Sequence, residues 1–284
     1  MPIQFVDIHP HVIANDDAKY PRMPLFGVQS DWSRERPVTI DGLIAAMDEA
    51  GVHKAAIVQA STCYGFDNSY VCDAVARHPG RFTVVGSVDM LAPDAPATIQ
   101  GWMKRGLTGL RLFTGGSTAA FDTSALDDSR SFPAWSFAGE AGLPICVQTG
   151  PVGLAQVAGL AKRFPKVKII LDHLARPEID DGAPYKKAVG LFAMANFENI
   201  HLKITPRIFH EVVRGKATPE TFFPKLVGAF GARRLAWGSN FPASEGTMKA
   251  NLDPGKKALS CLSEDDQAWI FGRTALSLYP VLAK

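Results

Sequence analysis

Short runs rich in Val, Ile and Leu recur along the chain, separated by longer stretches in which apolar residues return every three or four positions. The runs occupy 3–8, 54–60, 82–88, 107–113, 144–149, 167–172, 200–205 and 234–239. Near-continuous apolarity over so few residues is expected of strands buried on both faces, as in a parallel sheet covered by crossover helices. The stretches between them carry helix signals. TIDGLIAAMDEAG has Thr39 to cap its start and Gly51 to stop it, and NSYVCDAVARHPG, PDAPATIQGWMKRG, FPAWSFAGEAG, VGLAQVAGLAKRF, APYKKAVGLFAMAN and PETFFPKLVGAFG are built similarly. The tail SEDDQAWIFGRTALSLYP opens on an acidic turn and continues with a long apolar face, as a closing helix would. Eight such β/α units predict an α/β fold, a (β/α)8 TIM barrel, with residues 1–284 forming one domain. A doubly wound open sheet is the alternative, but TGGST after the fourth run has the wrong spacing for a nucleotide-binding glycine fingerprint.

Composition narrows the function. With 46% hydrophobic and 20% charged residues, the 284-residue chain has enough apolar material for one large core. Its net charge of +2 is spread without a basic stripe or polybasic run, which argues against nucleic acid and membrane surfaces as partners. The start, MPIQFVDIHP, has no basic segment leading into an apolar one, and nothing approaches the roughly 20 apolar residues of a membrane span. A soluble, cytoplasmic protein is expected, with oligomeric state open and a homo-oligomer possible in principle. Cys63, Cys72, Cys146 and Cys261 form no CxxC pair and read as reduced thiols.

In a (β/α)8 barrel the chemistry sits at the carboxyl ends of the strands. Those positions are densely polar here: Asp7, His9 and His11 after the first run, Gln59 and Ser61 after the second, and Arg111 within the fourth. Gln148 ends the fifth, Asp172, His173 and Arg176 follow the sixth, Lys203 lies in the seventh, and Ser239 and Asn240 follow the eighth. His9 and His11 are two residues apart, a spacing that puts both imidazoles on one face of a strand. Alone, either is as well explained as a strand-edge residue, and a lone His173 as a core histidine bonded to a carbonyl. Together they suit either Zn2+ held by His9, His11 and His173, with water as fourth ligand, or a metal-free acid/base cluster. His53, His78 and His201 fall at the opposite end, and His210 reaches the mouth only from its loop.

Arg111, Arg176 and Lys203 bring positive charge to an apolar rim, where Asp7, Asp172 or Glu211 can pair with one or two of them. The remaining charge, above all on Arg176, suits a substrate carboxylate. In QASTCYGFDNSY, Tyr64 is a candidate substrate contact, and Asp67 or Asn68 a helix cap. The first loop, NDDAKYPRMPLFGVQSDWSRERP, lacks clear element signals and is expected to act as a lid, with its aromatics and Arg34 or Arg36 over a ligand.

Taken in order, DIHPH, QASTCYGFDN, GLRLF, DHLARP, HLKIT and WGSNFP resemble the amidohydrolase superfamily. The likeness is to its amidohydrolase-related branch, which includes the 2-pyrone-4,6-dicarboxylate lactonases, and it covers nearly the whole chain. The resemblance implies a barrel hydrolase in which His9, His11 and His173 face the substrate and Arg176 binds a carboxylate. Two positions depart from the wider superfamily. Gln148 stands where a metal-binding histidine is usual, although the lactonase branch also dispenses with it, and Asn240 replaces an aspartate that accepts the proton of the attacking water. An amide does not take a proton near neutral pH.

The expected function is therefore hydrolysis of a small carboxylate-bearing lactone or related cyclic ester. His9, His11, His173 and Asn240 are the candidate catalytic residues, and Arg176, Arg111, Tyr64, Lys203 and Gln148 the candidate substrate contacts. The cofactor is either one divalent metal, Zn2+ first, or none. The alternatives are non-oxidative decarboxylation of an unsaturated or aromatic acid, and a decayed barrel that only binds its ligand.

Overall fold

Eight short strands, nearly all buried, alternate with helices in the computed structural model, which describes residues 3–284. They are β1 (Phe5–Asp7), β2 (Val52–Val58), β3 (Phe82–Gly86), β4 (Leu107–Phe113), β5 (Ile145–Gln148), β6 (Ile169–Leu171), β7 (Ile200–Ile204) and β8 (Leu235–Trp237). All neighbours pair in parallel, in the order β1 to β8. Ile8 N donates to Trp237 O at 3.3 Å and joins β8 back to β1, so the sheet is a nearly closed barrel. This is the (β/α)8 architecture expected from the sequence, with several strands shorter than the apolar runs, because each run continues into a loop at the barrel mouth.

Two apolar layers hold the barrel. Outside, the strands pack against the surrounding helices. Inside, small and branched residues (Val6, Val58, Val85, Cys146 and Ala236 among them) meet Ala275, Leu278, Tyr279 and Leu282 from the chain's end. The tail thus plugs the bottom of the barrel and leaves the other end for polar groups. It reaches that place through Gly272, where an added Cβ would lie only 2.0 Å from Gln4 O, and through a π-helical turn at Trp269–Arg273 inside the expected closing helix.

The helix Ile40–Ala50 is capped as expected, Thr39 Oγ1 accepting from Gly42 N at 3.3 Å and Gly51 turning the chain at φ 72°. The helix Met248–Leu259 was not anticipated, since NLDPG reads as a turn. Tertiary packing overrides that signal: a Cβ at Gly255 would sit 2.8 Å from the Phe209 ring, so the bare glycine lets this helix lie against Pro206–Glu211. The long first loop is also more ordered than its composition suggests, containing a 3-10 turn at Leu25–Gly27 and a helix at Asp31–Glu35. Among the described residues no helix is long and apolar enough to cross a membrane.

At the seam between β1 and β8, Asp7 Oδ1 accepts from His9 N at 2.9 Å and from Ser239 N at 2.8 Å. Burial pushes its carboxyl from 3.8 up to about 6, against the opposing pull of the Ser239 and His9 hydrogen bonds. Replacing Asp7 by Ala orphans two buried N–H groups and is expected to cost about 2–5 kcal/mol in urea unfolding, with Asp7→Asn milder because it keeps an acceptor oxygen. A folded pKa above the unfolded one favours folding most below pH 3.8, and that contribution disappears as pH rises through about 6. The stability of the parent relative to Asp7→Asn should therefore fall between pH 4 and 6; a constant difference would contradict the raised pKa.

Candidate active site

Three imidazoles gather just beyond the strand ends. The His9 and His11 rings lie 5.0 Å apart at 84°, and the His9 and His173 rings 5.0 Å apart at 63°. His9 and His11 are neighbours but do not share one strand face, because the chain leaves β1 at Asp7. His9 is sealed beneath, fully buried, while His11 and His173 line a cavity of about 200 Å3. Each ring is held through Nδ1. His11 Nδ1 donates to Val58 O at 2.8 Å, so its Nε2 carries a lone pair; His173 Nδ1 shares a 2.8 Å hydrogen bond with Thr205 Oγ1; and His9 Nδ1 is 2.8 Å from Lys203 Nζ. Trp32, from the first loop, stacks on His11 at 5.1 Å.

Below the imidazoles lies a buried ion cluster. Asp172 Oδ1 is 2.7 Å from Lys203 Nζ, and Asp172 Oδ2 accepts from Arg111 Nε at 2.9 Å. Burial pushes the Asp172 carboxyl up, but Lys203 and Arg111 outweigh it and hold the group well below the usual carboxylate range. Gln148 Oε1 accepts from Arg111 Nη2, and Gln148 Nε2 donates to Gly115 O at 2.9 Å, so this amide orients the guanidinium. Burial first, then the nearby positive groups, holds the imidazoles neutral. His9 falls well below 6.5, and His11, next to Arg111, falls to about 3. His173 also falls to about 3, although Asp172 opposes the shift.

The segment after β6 has an uncommon backbone. His173, Leu174, Ala175 and Arg176 all have φ between 53° and 56°, a left-handed turn built without glycine and closed by Arg176 N donating to His173 O at 2.9 Å. Left-handed geometry costs a non-glycine residue roughly 1–2 kcal/mol, and such strain persists where the surroundings over-determine it. Its result is that His173 and Arg176 face one cavity. Arg176 Nη1 donates to Gly116 O at 2.7 Å and the guanidinium lies over Phe121 at 5.1 Å, while its Nε is buried without a partner among the described residues. Burial lowers the Arg176 pKa, with Arg207 and Arg111 adding repulsion. Asn240, also left-handed at φ 53°, donates through Nδ2 to Ser244 Oγ at 3.0 Å and lines the cavity.

Of the residues expected at the mouth, His11, His173, Arg111, Arg176, Gln148 and Asn240 line one cavity. His9 and Lys203 lie beneath it, both fully buried. Tyr64 is a correction: its hydroxyl accepts from Ala14 N at 2.8 Å in the core, so it fastens the first loop and does not face the cavity. Of the two cap candidates, Asp67 serves the following helix, its Oδ1 accepting from Ser69 N at 2.9 Å, whereas Asn68 bridges to Ser87, accepting from Ser87 N at 2.8 Å. Trp32, Phe113 and Thr205 were not singled out from sequence. Trp32 carried a signal as an aromatic in the long first loop, whereas Thr205 is visible only once the barrel closes. The four cysteines are free, Cys261 exposed and the others buried.

His9 does not offer the lone pair that a three-histidine metal site requires. Lys203, ion-paired to Asp172 and hence an ammonium, can only donate to His9 Nδ1. In a neutral ring this leaves the proton on Nε2, an atom buried without a partner among the described residues. Metal-binding histidines normally donate their second nitrogen to a carboxylate or carbonyl; here the polarity is reversed by a cation. Among the described residues no group of three His, Cys, Asp or Glu side chains is disposed to hold a metal ion. Only His11 and His173 remain, beside an amide and three positive side chains.

An eight-stranded parallel barrel with imidazole and guanidinium groups around a cavity at the strand ends has the architecture of a (β/α)8-barrel enzyme. The chain belongs to the amidohydrolase family, whose model matches residues 6–281. It is 26% identical over 294 residues to an L-fucono-1,5-lactonase of Burkholderia ambifaria, covering 97% of this chain and 95% of that protein. Its fold is similar to a probable 2-pyrone-4,6-dicarboxylic acid hydrolase of Acinetobacter baumannii crystallised with citric acid (TM-score 0.77, 16% identity, 98% of this chain and 100% of that one). It is also similar to an amidohydrolase of Burkholderia multivorans with bound zinc (TM-score 0.77, 20% identity, 98% and 99% covered).

Because folded pKa values lie below the unfolded 6.5, the neutral imidazoles favour folding above that pH, and this contribution is lost as pH falls from 6.5 towards about 3. The ring signals of His11 and His173 in NMR should accordingly stay constant from pH 8 to 5; a midpoint near 6.5 for either would contradict this environment. Lys203→Met leaves Asp172 with one partner and should cost about 3–5 kcal/mol in denaturant unfolding.

Proposed function

We propose that this protein hydrolyses a small carboxylate-bearing lactone without a resident metal. The observation that carries the reading is the positive charge at the cavity: Arg111 and Lys203 share the Asp172 carboxylate, and Arg176, on the cavity wall, has no acidic side chain in hydrogen-bonding contact among the described residues. An anion entering the cavity offsets that charge. The lactonase relative and the dicarboxylic acid hydrolase fold match support the same chemistry.

In this reading Arg176 grips the substrate carboxylate. Arg111, fixed by Asp172 and Gln148, turns its remaining N–H edge to the lactone carbonyl and stabilises the oxyanion as it forms. His11 is the proton acceptor, since the Val58 carbonyl fixes the tautomer that leaves Nε2 free. The bound carboxylate offsets the positive charge that depresses this imidazole and so raises its basicity when the substrate is in place. Asn240, through its amide oxygen, helps to position the water. Water adds to the carbonyl carbon as His11 takes its proton, and collapse of the tetrahedral species breaks the ring C–O bond as His11 returns that proton to the leaving alkoxide. His9, Lys203 and Asp172 position these groups from below, and His173 flanks the water.

Decarboxylation is less well supported, because it needs an acid to protonate carbon, and neither the neutral imidazoles nor Asn240 provides one in the free protein.

The deciding experiment is a screen of carboxylated lactones for acid release, with and without exhaustive chelation. Activity that survives metal removal is expected; activity restored only by added Zn2+ would overturn the metal-free reading. Arg176→Ala should lose about 2–5 kcal/mol in kcat/KM, mainly through KM, and Arg176→Lys should recover only part of it because the forked contact is gone. Unchanged kinetics in Arg176→Ala would remove its assignment.

A further inference from the structure

Beside the polar cavity lies a second one, also of about 200 Å3, and the two share the side chains of Arg111 and Phe113 as a common wall. Its lining is of another character. Phe26, Phe66, Val88, Met90 and Leu126 surround it, and Phe26 approaches Phe113 to 6.1 Å between ring centres. Every polar side chain at its edge, Arg111 included, already has a partner in the chain. Ser87 Oγ donates to Arg111 O at 3.5 Å and Thr114 Oγ1 to Gln148 O at 2.8 Å, while Asp89 Oδ1 accepts from Leu91 N and Asp122 Oδ1 from Ser124 N, each at 2.9 Å.

We infer that this cavity is a substrate subsite for an apolar group, of phenyl or short alkyl size, on a lactone whose carboxylate end is held by Arg176. The inference rests on the lactonase reading above and deepens it by naming the substrate class. Three features support it. A cavity of about 150 Å3 lined by Leu, Ile and Phe is large enough to take up benzene, so the volume here suffices. The pre-engaged hydroxyls offer a sugar-like ring little to replace the water it would lose, and unpaired buried polar groups are costly. The carboxylates of Asp89 and Asp122 repel a substrate anion, while Arg111 and Arg176 attract it across the shared wall, so only one orientation of an amphipathic substrate is favoured. Phe113 stands where the two parts of such a molecule would join. Exposure of Phe26 (48%) and Phe66 (41%) at the outer rim leaves that side open for entry.

The test uses carboxylates that need no turnover. In calorimetric titrations of the full chain, 4-phenylbutyrate should bind roughly ten- to hundredfold tighter than butyrate, the range expected for filling a hydrophobic pocket. Ala125→Trp, at an exposed position on the cavity wall, should abolish that difference and leave butyrate binding within about twofold. Leu91→Trp, from another part of the wall, repeats the test should the first variant fold poorly. Equal binding of the two acids by the parent, or a preference that survives both tryptophans, would overturn the subsite. So would a phenyl preference that disappears only when the protein changes oligomeric mass, since a second copy would then be the occupant. Turnover separates the two readings. If phenyl preference is present but no lactone is hydrolysed, the subsite stands and the lactonase reading fails. If lactones are hydrolysed, with hydroxylated ones equal to or better than phenyl-substituted ones, the reverse holds.

Discussion

The Asp172 carboxylate is the fixed point around which the mouth is organised. Taken out of water, it is tolerable only because Arg111 and Lys203 hold it from two sides, and each of those cations is tolerable only because of it. This mutual requirement sets the rotamers of two long side chains inside a barrel that is otherwise filled by apolar residues. Lys203 then fixes His9, the His9 ring sets the edge against which His11 and His173 pack, and Arg111 is left with one edge facing the cavity. A local cluster of three charges thus passes its geometry, through His9, outward to the cavity wall.

Much of this was legible in the sequence because barrel strands report themselves by apolar runs, and a run's end is a defined place in the fold. His11, His173, Arg176, Gln148 and Asn240 were recoverable by that rule; Arg111, inside the fourth run, needed the strand's register as well. Depth was not recoverable. His9 and Lys203 occupy strand-end positions on paper, but they lie under the cavity, because β1 is too short to keep His9 and His11 in step. Tyr64 failed for a related reason: a loop after a strand can turn its aromatic inward, and the Ala14 amide that captures its hydroxyl is 50 residues away in sequence. The late helix went unread because its DPG carries a local turn signal, whereas the contact between Gly255 and Phe209 that holds it is not local.

Asn240 is more coherent in this setting than as an isolated loss. With a cation on His9 Nδ1, an aspartate at position 240 would stand beside only two available imidazoles; a neutral amide there adds no negative charge to offset Arg111 and Arg176. The reversed hydrogen-bond polarity at His9 and the amide at Asn240 point in the same direction, and neither would be informative without the other.

The left-handed turn from His173 to Arg176 has a thermodynamic consequence. Glycines would adopt it freely, but they would also leave it freely, and a flexible segment must be ordered each time a ligand arrives. Four side-chain-bearing residues settle that cost once, during folding. Association with an anion should then show little entropic penalty from this wall of the cavity, so selectivity among acids of similar charge depends on shape, with no contribution from how far each one can draw the protein closed.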